Sequence, residues 1–143
     1  MQITRHRPTP PRPLAPKQLQ LPEEQTWSDS VYAGGQHSDL GIRLNTAVFT
    51  PLMLVPGIGP VLGGVTVAGC LGLSLQNAYA ATRHNDKDLL RRSLVNAAIS
   101  GTLTGAAAAM LGAGPPQLGP VLVGAAAVMV VGREIHARLS SKP

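Results

Sequence analysis

Ionised side chains are scarce in this chain, and over two long stretches they are missing altogether. Asp, Glu, Lys and Arg make up 13 % of its 143 residues, against about a quarter in ordinary soluble proteins. Aromatic residues reach only 3 %. The single cysteine, Cys70, excludes an internal disulfide and a cysteine-based zinc knuckle. Its neighbours Ala68, Gly69 and Leu71 mark it as a small apolar packer. No Ser/His/Asp, Cys/His or metal-ligand arrangement has supportive placement, so neither a catalytic site nor a cofactor is expected. His37 and Asp39 lie close in sequence but make no catalytic constellation.

What is present is unevenly spread. Residues 44–82 and 93–132, stretches of 39 and 40 positions, contain no Asp, Glu, Lys or Arg. A soluble amphipathic helix would show a charged stripe every turn or so. The net charge of +5, from 12 basic and 7 acidic residues, collects outside these blocks, as the flanking charges of a membrane protein do. A nucleic-acid binder would instead gather them on a folded face with polar or aromatic readers. The lipid bilayer is therefore the expected partner, and nucleic acid is not. No charged residue lies within either block, which argues against a proton- or ion-coupled transporter.

Residues 1–38 read as an arm. Prolines at 8, 10, 11, 13, 16 and 22 remove backbone donors and fix φ, so a disordered or polyproline-like segment is expected. No apolar stretch follows its early arginines, unlike a secretory signal; a mitochondrial presequence would need an amphipathic helix that these prolines oppose. Arg5, Pro8 and Pro11 fit the basic proline pattern of SH3-type ligands, a weak motif in so proline-rich an arm. Trp27 and Tyr32 suit an interfacial anchor, a partner motif or a linker.

Both apolar blocks are interrupted near their middles. Residues 54–64 read Leu-Val-Pro-Gly-Ile-Gly-Pro-Val-Leu-Gly-Gly, and residues 114–124 read Gly-Pro-Pro-Gln-Leu-Gly-Pro-Val-Leu-Val-Gly. A shift of 60 positions superimposes Pro56, Gly59, Pro60, Val61, Leu62, Gly64 and Gly72 on identical residues, an internal repeat. Proline–glycine clusters stop one helix and let the chain reverse, and proline suits the first turn of the next. The expected fold is all-α and membrane-embedded, with two tandem helical hairpins. Hairpin 1 covers 39–83 with its tip at 55–60, where Pro56, Gly57, Gly59 and Pro60 turn the chain. A polar loop covers 84–92. Hairpin 2 covers 93–139 with its tip at 112–120, where Pro115, Pro116, Gly119 and Pro120 do the same; residues 140–143 are a tail.

Val61–Thr82 and Ser93–Gly114 are each long enough, at roughly 33 Å, to cross a bilayer. The uncharged parts of the outer legs, 44–55 and 121–132, span only if their helices run on through Leu40 and Ile135 while Arg43 and Arg133 snorkel; otherwise the hairpins dip into the membrane. Basic residues flank the hairpins and avoid the tips, which by the positive-inside rule puts both termini and the middle loop on the cytoplasmic, or insertion, side.

Small residues recur every four positions: Gly64, Ala68 and Gly72 in the second helix, and Ala97, Gly101, Gly105, Ala109 and Ala113 in the third. Such stripes let helix backbones approach in lipid, within one chain, in a homo-oligomer or with a membrane-protein partner. Asn45, Gln76, Asn77 and Asn96 are candidates for bonds across helices. In the loop, Asn85 reads as an N-cap with Asp86 and Asp88 in the first turn; Glu134 and Arg138 stand at pairing distance along a helix.

The proline-bearing tips resemble the proline knot of oleosins, over the tips alone and with much shorter legs. The plan of a polar arm before glycine-rich membrane hairpins is similar to that of hydrophobic type III secreted effectors of bacteria. The expected function is that of a small non-catalytic membrane protein, scaffolding or organising a membrane through its small-residue helix faces. The alternative is a secreted effector or pore-former that inserts into a target membrane, for which the serines and threonines of the third helix give it a modest apolarity.

Overall fold

A computed structural model describes residues 26–142, all of whose regular structure is helical. The first 25 residues, and with them Arg5, Pro8 and Pro11, lie outside the described residues. Four helices follow: α1 (Trp27–Leu52), α2 (Ile58–Arg83), α3 (Lys87–Ala108), which runs into a π-type turn (Ala109–Ala113), and α4 (Leu118–Ser140). Three segments, Ile58–Arg83, Lys87–Ala113 and Leu118–Ser140, are long and apolar enough to cross a membrane. The more polar α1 is not among them.

The 60-residue period of the sequence reappears in space. α1 and α3 begin 60 residues apart, at Trp27 and Lys87, and α2 and α4 begin 60 apart, at Ile58 and Leu118. α2 and α3 form the most extensive contact, α1 touches the other three helices, and α4 packs chiefly on α3, leaving α2 and α4 apart.

α1 starts at Trp27, twelve residues before the expected boundary at 39. Two local causes account for this. The Asp29 carboxylate accepts from the Thr26 amide (3.1 Å) and hydroxyl (2.7 Å), a carboxylate at the helix N-terminus being favourable. The exposed first turns then dock on the α2–α3 connection: the Tyr32 ring stacks on His84 with centroids 4.2 Å apart, and its hydroxyl donates to Asp86 at 3.0 Å. His84 lies 2.9 Å from Asp29, and Trp27 sits 6.2 Å from Tyr79, ring centre to ring centre.

That connection is shorter than the expected 84–92, because α3 begins at Lys87. The N-cap is Asp86, not Asn85: its Oδ1 accepts from the Leu89 amide at 3.0 Å. Asn85 instead takes a left-handed conformation (φ 56°), which asparagine tolerates. The outer legs are also longer than the shortest expectation, with α1 covering 26 and α4 covering 23 residues.

At the first tip, Pro51 occupies the last turn of α1 and residues 53–57 reverse the chain. The amides of Met53, Leu54, Val55, Ile58 and Gly59 all donate to carbonyls of the turn or the last turn of α1, so little backbone is left needing water. Gly57 has φ +82°. A Cβ on Gly59 would collide with the Leu52 carbonyl oxygen, and one on Gly63 would stand 2.6 Å from the Met53 sulfur. Around this end Met53, Val67, Ile99, Leu103, Ala106, Ala107, Val123 and Ala126 make the apolar core.

Candidate functional site

Away from the tips, the bundle interior is polar. Asp39, Thr46, Thr50, Ser74, Asn77, Ser93, Asn96 and Ser100 are all buried. Several hydroxyls satisfy themselves locally: Thr46, Thr50 and Ser74 each donate to the carbonyl four residues back, a bond open to serine and threonine inside helices.

Asp39 and Asn96 belong to one network joining α1, α3 and α4, whereas the buried Ser93 and Ser100 hydroxyls have no hydrogen-bond partner among the described residues. Asn96 donates to the Asp39 carboxylate at 2.6 Å and accepts from Arg133 at 2.7 Å. Arg133, whose side chain is only 9 % exposed, also reaches the Thr46 hydroxyl (3.2 Å) and the Arg43 carbonyl (3.1 Å). Glu134 accepts from Arg43 at 2.7 Å and from Arg133 at 3.3 Å. It thus pairs across the bundle, and the expected pair with Arg138 does not form among the described residues. Arg92 stands 3.7 Å from Asp39. Nearby, Asn77 of α2 donates to the Ser38 hydroxyl at 2.8 Å.

Asp39 and Arg133 are the buried charges of this group, and each is held by more than one partner, as a buried charge requires. Among the described residues the group contains no nucleophile paired with a base, and no cluster of His, Cys, Asp or Glu suited to a metal ion is present. The network fixes the register of three helices at the end where the charges lie.

Of the amides singled out in the sequence, Asn96 and Asn77 bond across helices, whereas Asn45 bonds the Gly41 carbonyl of its own helix. Sequence reasoning took Arg133 only as a flanking charge and Asp39 only as a neighbour of His37. The available signal was a charge standing at the edge of each block beside an asparagine inside one.

The small-residue stripes are divided. Ala97 and Ala109 are buried and Gly101 and Gly105 half-buried, with Leu71 and Leu122 the nearest atoms to their missing Cβ positions. Gly64 faces Ala107, 2.9 Å from where its Cβ would be. Ala68, Gly72 and Ala113 are exposed, and Gly72 faces open space. Among the tip residues Gly59, Pro60 and Gly119 are buried, while Pro56, Gly57, Pro115, Pro116 and Pro120 are exposed. Gly59 and Gly119 occupy the same second position of α2 and α4.

No protein-family model matches the chain, and neither a curated protein nor a solved structure is similar to it.

Proposed function

We propose that the chain is a non-catalytic integral membrane protein that organises its membrane through glycine- and alanine-rich helix faces. One observation carries the membrane part: large apolar side chains stand on the outside of every helix, while polar residues are buried beside the apolar core. Asp39, Asn77, Asn96 and five hydroxyl residues are inside, while Leu44, Val48, Ile58, Leu62, Val65, Leu73, Val121, Val128 and Val131 are exposed. Exposed apolar side chains distributed over every helix form a lipid-facing surface. The expected arrangement is two hairpins with uncharged tips, and with the termini and the α2–α3 connection on the insertion side. The organising role is supported by the exposed Ala68 and Gly72 on α2, which leave a smooth strip for a second helix to approach.

Topology is tested by labelling single cysteines at Ile58, Leu118, Asn85 and Ser141 in sealed vesicles, on a Cys70→Ser background. Labelling of both tips only from the side opposite Asn85 and Ser141 is expected for spanning hairpins. Tips reachable from neither side would replace spanning with dipping. Recovery of the chain in the soluble fraction after carbonate extraction would overturn the membrane reading. For the organising role, cross-linking in the membrane is expected to trap an oligomer that Gly72→Leu abolishes; a monomer at all densities would sink it. Dye release from liposomes that bind the chain would favour the effector or pore-former instead.

A further inference from the structure

A cavity of about 480 Å³ opens beside the polar network, between α3 and α4 with α1 behind. Its charged lining is of one sign: Arg43, Arg91, Arg92 and Arg133 border it, with His136 and Ser140 beside them. The only two carboxylates in the network, Asp39 and Glu134, are not part of the lining. Asp39 is 3 % exposed and lies behind Asn96, to which it is bonded, and Glu134 is turned toward Arg43 and Arg133.

Three of these arginines, Arg43, Arg92 and Arg133, share two carboxylates. Arg91 belongs to no ion pair among the described residues. Arg91 and the half-exposed Arg92 leave positive charge beside the cleft that an anion would neutralise. The rest of the wall is apolar or small, from Val95, Gly132 and Ala137. The cleft thus sets Arg91 and Arg92, whose planar guanidinium groups suit tetrahedral oxyanions, beside a hydrocarbon-compatible wall on the outer face of the bundle.

We propose that this cavity binds a phosphate group, and that the group is supplied by the headgroup of an anionic phospholipid, with its acyl chains lying along Val95 and Ala137. Basic pockets between membrane helices near the charged face suit such headgroups. The site would tie the register-fixing network to the lipid composition around it: the phosphate would lie beside the same guanidinium groups that hold α1, α3 and α4 together. The lipid source rests on the membrane reading above; the affinity for phosphate does not.

Two variants separate the cavity from general basicity. Arg91→Gln removes a guanidinium that is exposed and outside the ion pairs. Gly132→Leu adds bulk to the cavity wall at a position where a Cβ meets nothing within 4 Å, so the fold tolerates it. Arg138→Gln, an exposed arginine that does not line the cavity, is the control. The full chain is placed in nanodiscs of phosphatidylcholine with a small fraction of phosphatidylglycerol, and lipids retained after detergent transfer are counted by native mass spectrometry. A parallel arm titrates inorganic phosphate, against chloride at equal ionic strength, into the detergent-solubilised chain and follows its thermal unfolding.

Retention of phosphatidylglycerol over phosphatidylcholine is expected, and it should fall about tenfold in each cavity variant and not in Arg138→Gln. Saturable stabilisation by inorganic phosphate, lost in the same variants, would assign the site to free phosphate as well as to the lipid. Equal loss in Arg138→Gln, or retention unchanged by both cavity variants together with no effect of phosphate, would overturn the site. Failure of the chain to enter nanodiscs would sink the membrane reading alone, because the phosphate arm still reads the cavity.

Discussion

The two ends of the bundle are held by different physics. At the tip end, contacts are apolar and close: Met53, Leu103, Ala107 and Val123 fill the core, and Gly59 brings the start of α2 against the last carbonyls of α1 where no side chain fits. At the open end, Asp39, Asn96, Arg133 and Glu134 hold α1, α3 and α4 by directed hydrogen bonds. In lipid, hydrophobicity draws no helix toward another, so association must come from shape or from polar bonds. This molecule uses one at each end, and each sets a boundary condition for the four helices between them.

The comparison can be broken first at the tip. Gly59→Leu should cost about 3 kcal/mol or more, since the clash is with backbone that cannot rotate away. Gly124→Leu, on the open face of α4, should change stability by less than about 0.5 kcal/mol. Denaturant titration in mixed micelles, followed by circular dichroism, measures both; equal effects would refute a shape-based tip.

The open end should respond somewhat less, at about 2 to 3 kcal/mol, to Asn96→Leu, which leaves the Asp39 carboxylate and the Arg133 guanidinium each short of a partner. Combining it with Asp39→Leu should cost less than the two separate losses added, because the second change removes the group that the first left unpaired. Strict additivity would show that these residues do not act as a unit.

The smallest effect belongs to the docking of the first turns of α1. Bonds from the Thr26 hydroxyl and amide hold the Asp29 carboxyl below its ordinary value, and those from the Leu89 amide and the Tyr32 hydroxyl do the same for Asp86. Tyr32 is pushed up, because its proton is engaged by Asp86 and that charge opposes ionisation. Lowered carboxylates contribute above their unfolded values and lose the contribution as pH falls through their folded values; the raised phenol contributes below its unfolded value and loses it as pH rises through the folded one. Fluorescence of Trp27, the only tryptophan, should therefore change below about pH 4 and above about pH 10. Tyr32→Phe should reduce the alkaline change.

The helical class, three of the four expected apolar legs and the 60-residue period were legible in the sequence because each depends on neighbours along the chain: missing charge, proline and glycine. The start of α1 was less so. Thr26 and Asp29 form a local signal, but the proline-rich segment before them outweighed it, and the partners of Tyr32 lie more than 50 residues away. The network was hidden for the same reason, with Asp39, Asn96 and Arg133 brought together only by the packing of three helices. The stripe on α2 also differs in phase: its buried face runs through Gly63, Val67, Cys70, Ser74 and Asn77, one step from the four-residue series beginning at Gly64. Counting small residues locates a smooth strip without saying which neighbour it meets.

The prolines of the tips bear on how the chain reaches its final place. Pro51, Pro56 and Pro60 at one tip and Pro115, Pro116 and Pro120 at the other are six backbone positions with no amide hydrogen to strip of water. Around the first of them the remaining amides are largely bonded within the turn. An unbonded amide carried into hydrocarbon costs several kcal/mol, and an ionised side chain at least about 2.5. On the proposed topology each hairpin would lead with the part of the chain that owes least to water, so that entry from a single face, with every arginine left behind, would meet its lowest barrier.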